Sequence, residues 1–155
     1  MNNLETSKSL IFNYTVKIPK EYFPYIWKRW NDLATWNEWD DGLEKTMFID
    51  NGLELGKVFQ VLPKMGQGPV TVCVTSFINE VHFTTSSYGP IGTFSIGHSL
   101  IDQNSQYPES VIEHTICVQP ENYDFFKENI WETLKQNIHE SVNNLVAITS
   151  KELGL

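Results

Sequence analysis

The C-terminal fifth of this chain most constrains its fold. From Asn122 onward, Phe126, Ile130, Leu134, Ile138, Val142, Leu145 and Ile148 recur at steps of three and four. That period places them on one stripe of an amphipathic helix. Glu128, Glu132, Lys135, Gln136, Glu140 and Asn144 fall between them and suit the watered side. One continuous helix of ~28 residues would be ~42 Å long. It is too charged to span a membrane. An apolar stripe of this length needs an apolar surface to lie on, and everything between the first helical segment and Asn122 reads as strands. A single helix laid across a curved antiparallel sheet leaves a gap, which either encloses an apolar ligand or is filled by side chains.

The strands are legible from alternation and turn residues. Residues 9–18 alternate, with Leu10, Phe12, Tyr14, Val16 and Ile18 on one side, and Pro19 ends the run. Residues 20–33 carry Tyr22, Ile26, Trp27, Trp30 and Leu33 at helical spacing, with Pro24 placed for a first turn. A second short helix or turn holds Trp36, Asn37, Glu38, Trp39 and Asp40. Six strands follow, over 43–49, 57–62, 70–78, 81–88, 92–102 and 110–118, separated by Gly-, Pro- and Asn-rich turns. Asn122 is placed to cap the long helix and Gly154 to stop it. The order is one strand, two short helices, six strands and one long helix. With no repeat or low-complexity linker, residues 1–155 read as a single domain.

Charge and cysteine usage exclude several classes. The formal net charge is -8, with Arg29 the one arginine, which argues against nucleic acid. It also argues against attachment to an anionic membrane. No secretory h-region or membrane-spanning stretch is visible, so a cytoplasmic location without membrane insertion is expected. Cys73 and Cys117 each stand alone in a strand pattern and read as buried small hydrophobes. Motifs for nucleotides, metals and cofactors are missing, so no cofactor is expected.

Several features together resemble the helix-grip fold of the START and birch-pollen-allergen superfamily (SRPBCC), which includes polyketide cyclase/dehydrase-like proteins. They are Trp27 in the first helix and Trp36-Asn37-Glu38-Trp39-Asp40 after it, then the hairpin from Leu43 to Phe59 with Gly52 and Gly56. The Val74-Thr75 strand and the His98/His114 hairpin leading into the last helix complete the set. The resemblance covers essentially the whole chain. It implies an α+β fold in which a curved antiparallel sheet of about seven strands wraps a long C-terminal helix. It also implies a deep cavity for lipids, sterols, polyketides or other apolar molecules. No catalytic signature accompanies it.

Alternation then names the residues facing such a cavity. They are Tyr14, Phe59, Val72, Val74, Phe83, Phe94, Ile96, His98 and His114 from the strands, with Ile130, Leu134 and Ile138 from the helix. His98 lies in line with Phe94, Ile96 and Leu100, and His114 with Ile112, Ile116 and Val118. A hairpin centred on Gln106 sets His98 opposite His114, since a one-residue slip would turn the two apolar sets to opposite faces. Three readings of the pair stay open: satisfied core residues, the polar handle of an apolar ligand, or an acid–base pair of a cyclase/dehydrase-like enzyme. A metal site lacks a third ligand. Close, buried imidazoles are expected to resist double protonation and to titrate together. His82 reads as surface and His139 as the edge of the helix. Trp36 and Trp39 either gate one end of the cavity or fix the helical segment to the sheet, and Asp40 and Asp41 suit a turn.

Overall fold

The structure, a computed structural model, describes residues 8–47, 50–66 and 68–155. The strands are β1 (Leu10–Lys17), β2 (Leu43–Met47), β3 (Val58–Pro63), β4 (Val70–Ile78), β5 (His82–Gly89), β6 (Gly92–Ile101) and β7 (Val111–Pro120). They form one seven-stranded sheet in the order β1-β7-β6-β5-β4-β3-β2, and every pairing is antiparallel. Residues 48 and 49, the end of the second expected strand, lie outside the described residues.

The order of strands dictates where the first helices go. β2 to β7 form a meander, and β1 adds beside β7, so β1 and β2 lie at opposite edges. The chain between them must therefore cross a face of the sheet. It does so as α1 (Phe23–Asn31) and α2 (Trp36–Trp39), with tight turns at Lys20–Tyr22 and Leu33–Thr35. Pro24 occupies the first turn of α1, where its missing N–H costs nothing. The crossing buries Ile26, Trp27, Trp30, Leu33, Trp36 and Trp39. A segment with four tryptophans in thirteen positions is thereby laid on the concave side.

The C-terminal helix departs from the expected single rod. It comprises α3 (Tyr123–Asn129) and α4 (Trp131–Glu152), with Ile130 between them at φ -124°. The hydrogen-bond ladder still runs through the junction: Ile130 N donates to Phe126 O at 2.9 Å and Leu134 N to Ile130 O at 3.2 Å. The junction is therefore a kink. Asn129 Nδ2 donates to Phe125 O at 2.8 Å, and a side chain competing for a ladder carbonyl is a known cause of bending. The bend turns Trp131, which is off the apolar stripe, into the core, where 6% of it is exposed. Both ends of the helical region follow the sequence. Asn122 accepts from Phe125 N, and Gly154 at φ +75° lets Leu155 N donate to Ser150 O.

At the mouth of the β6–β7 hairpin the backbones nearly touch. A Cβ on Gly92, whose φ is +150°, would lie 2.6 Å from Gln119 O, so only glycine fits. Two apolar clusters cover the concave face. The larger holds the α1–α2 tryptophans with Phe59, Val72, Val74 and Phe83; the smaller holds Leu10, Ile116, Val118, Phe126, Trp131 and Ile138.

Candidate functional site

The register of the last hairpin is the one alternation requires: His98 pairs with His114, and Phe83 with His98 across the next strand pair. The two imidazole centres are 4.5 Å apart, and Phe83 stacks on His98 at 4.0 Å with planes 6° apart. The crossing segment roofs the pair. Trp30 lies 5.7 Å from each imidazole, and Trp39 lies 6.2 Å from His98 and 6.0 Å from His114. Trp36 closes the side toward Phe59 and donates its indole N–H to Trp30 O at 2.8 Å. Exposure falls to 4% at His98 and 1% at His114.

Burial fixes the protonation of this pair. Removal from water pushes the His114 imidazole down to about 3. His98 is held well below its ordinary value by burial first and by the proximity of His114 second, against a weaker pull from the Phe83 and Ile96 carbonyls. Both rings are neutral at pH 7, so each has one donor and one acceptor nitrogen. His98 Nδ1, His114 Nε2, Trp30 Nε1 and Trp39 Nε1 are buried without a hydrogen-bond partner among the described residues.

Tryptophans 36 and 39 thus do more than fix a helix to a sheet: they roof the histidines. Strand alternation cannot reveal this, because it places residues across a sheet and says nothing of what an interstrand crossing lays on top. The clue available was the density of tryptophan between β1 and β2.

Every cavity-facing candidate lies on the concave side, in two different settings. Phe59, Val72, Val74 and Phe83 are buried in the larger cluster, and Ile138 in the smaller. Tyr14 is half-buried. Its hydroxyl donates to Asn143 Oδ1 at 3.1 Å, and its ring packs 4.4 Å from His139. Phe94, Ile96, Ile130 and Leu134 surround the kink and are also only half-buried, although they point inward. Two further hollows are open on the surface. One of about 440 Å³ is bounded by Pro24, Tyr25, Lys28, Arg29, Asp32 and Glu152, and one of about 240 Å³ by Phe12, Glu132, Lys135, Gln136 and His139. In the first, Arg29 is already paired with Glu38 and Glu152.

Several side chains differ from their sequence readings. His82 is half-buried on the convex face, bonded to Ser99 Oγ at 2.6 Å and Thr84 Oγ1 at 2.8 Å, and burial lowers its pKa. Cys73 and Cys117 are free but only half-buried. Their parity, opposite to Val72/Val74 and Ile116/Val118, sends them to the convex side. Asp40 serves the expected turn by accepting from Gly42 N at 2.9 Å, but desolvation raises its carboxyl to about 6. Among the described residues no group of three metal-ligating side chains converges, and no helix is long and apolar enough to cross a membrane.

This geometry is a helix-grip fold, a seven-stranded antiparallel sheet against a long C-terminal helix. The crystal structure of Ara h 8.0201 superposes with a TM-score of 0.67 over 93% of this chain and 99% of that one, at 10% sequence identity. In all, 213 solved chains match. No protein-family model matches the sequence, and no curated protein does. The similarity is therefore one of fold.

Proposed function

We propose that the protein binds an apolar small molecule of lipid, polyketide or aromatic type between the sheet and the kinked C-terminal helix. One observation carries the reading. Phe94, Ile96, Ile130 and Leu134 face the concave side yet stay only half-buried around the kink. Large apolar side chains at inward positions become fully buried when the protein itself covers them, as Phe83 and Ile112 are. Half-buried ones gain further burial when an apolar ligand covers them, at ~25 cal/mol per Å². The tryptophan-filled region then forms the floor of the site, and the kink its entrance. In this reading the protein works in the cytoplasm, where Cys73 and Cys117 stay reduced.

Native mass spectrometry of protein purified from cells, followed by titration with the neutral fluorophore N-phenyl-1-naphthylamine, tests this. A co-purified apolar adduct or saturable probe binding is expected. Neither adduct nor saturation would overturn the reading.

The proximity of His98 and His114 supports a second reading: turnover of a polyketide-like or aromatic substrate in which the two exchange protons with it. An imidazole held near 3 is a weak base at neutral pH, so this chemistry would rest on positioned hydrogen bonds. Turnover that survives both His98→Gln and His114→Gln would exclude that role.

A further inference from the structure

The four partnerless nitrogens above the sheet belong to rings that touch one another. Each tryptophan lies within about 6 Å of both imidazoles, centre to centre, and the imidazoles touch. Their owners are 0%, 1%, 4% and 1% exposed for Trp30, Trp39, His98 and His114. Buried polar atoms in folded proteins almost always have a partner, so four on neighbouring rings ask for a common one.

Their chemistry defines that partner. Indole N–H groups only donate, so Trp30 and Trp39 require an acceptor. A neutral imidazole nitrogen beside them either donates or accepts. A carboxylate or phosphate would bring a bare charge against rings that no cation among the described residues is seen to face, and Arg29 is engaged by Glu38 and Glu152. A cation is repelled by the indole N–H groups. A carbonyl oxygen accepts from both indoles but gives nothing to an imidazole nitrogen. A hydroxyl oxygen has two lone pairs for the two indoles and a hydrogen for an imidazole, and water has a second hydrogen for the other.

We propose that Trp30 Nε1, Trp39 Nε1, His98 Nδ1 and His114 Nε2 form one internal site for a neutral hydroxyl oxygen, supplied by a ligand alcohol or phenol or by a water molecule. The ligand source rests on the binding reading above and narrows it to apolar molecules with an uncharged hydroxyl end. Ile96 is the next inward residue to His98 on β6, so a ligand body at the kink leads directly to the quartet. The site also fixes tautomers. With water in it, His98 carries its proton on Nε2 and His114 on Nδ1.

Two measurements on the whole chain test the site. Affinities of naphthalene, 2-methoxynaphthalene and 2-naphthol are compared in the parent, Trp30→Phe and Trp39→Phe. Long-range ¹⁵N spectra of the histidines and water cross-peaks are recorded in the ligand-free parent. A preference for 2-naphthol over its methyl ether of about tenfold or more, lost in the folded tryptophan variant, assigns the oxygen to the ligand. No such preference, with the two stated tautomers and a water cross-peak to them, assigns it to water. If none of the three compounds binds but the tautomers and cross-peak are present, the ligand-binding reading fails and the oxygen site stands. No naphthol preference together with mixed tautomers and no water cross-peak overturns the proposal, and this outcome needs no variant to fold.

Discussion

The tryptophan-roofed region and the kink region face the same sheet with residues of the same apolar character, yet one is sealed and the other is not. Over His98 and His114, the chain crossing from β1 to β2 brings Trp30, Trp36 and Trp39. Around Phe94 and Ile96 the cover is the α3–α4 junction, where the helix bends and leaves Ile130 and Leu134 half-buried. The contrast teaches that the cavity of such a fold is set less by the sheet than by what crosses it. In the binding reading proposed above, the sealed region supplies stability and a polar floor, and the bent one supplies access.

The largest expected difference is in stability. Trp30→Ala removes a fully buried ring and should cost about 3–5 kcal/mol in urea denaturation. Phe94→Ala, at a half-buried position, should cost about 1–2 kcal/mol and chiefly weaken probe binding. Equal costs would erase the distinction between the regions.

Acid should undo the sealed region first. Both imidazoles have folded pKa values below the unfolded ~6.5, so the unfolded chain binds more protons as pH falls. Their contribution is complete above pH 6.5 and declines toward the folded value, about 3 for His114. Asp40 opposes them, because its carboxyl is raised to about 6 and favours folding as it protonates. Two imidazoles against one carboxyl leave a net loss of stability as the pH falls below 6. His114→Gln should flatten that slope, and a parent slope near zero would mean solvated histidines.

The strand alternation, the His98–His114 pairing, the Asn122 cap and the Gly154 stop were all legible in the sequence, because each depends on local period or on one hairpin. What covers the histidines was not. It depends on β1 and β2 taking opposite edges of the sheet, and no local pattern in residues 19–42 encodes that. The kink escaped for a similar reason: the apolar stripe passes smoothly through Ile130, and only burial of the off-stripe Trp131 shows the bend. The four partnerless nitrogens required the two to be combined, since two come from strands and two from the crossing.

Smaller effects sharpen the same contrast. Asp40→Asn should raise stability at pH 7.5 by about 1–2 kcal/mol after allowance for partial exposure, and by nothing measurable at pH 3.5. An equal gain at both pH values would show that ionisation is not the cause. Asn129→Ala frees the Phe125 carbonyl and should change stability by only ~0.5 kcal/mol. Its larger signature would be altered probe affinity, through a straighter junction.

Amide chemical-shift mapping with N-phenyl-1-naphthylamine tests the central claim most directly. Saturating probe should shift the amides of Phe94, Ile96, Ile130 and Leu134 strongly and leave Leu55, Val58 and Ile78, at exposed positions away from the kink, unmoved. Shifts confined to the open hollow beside Arg29 and Glu152, or no saturable shifts at all, would contradict the account.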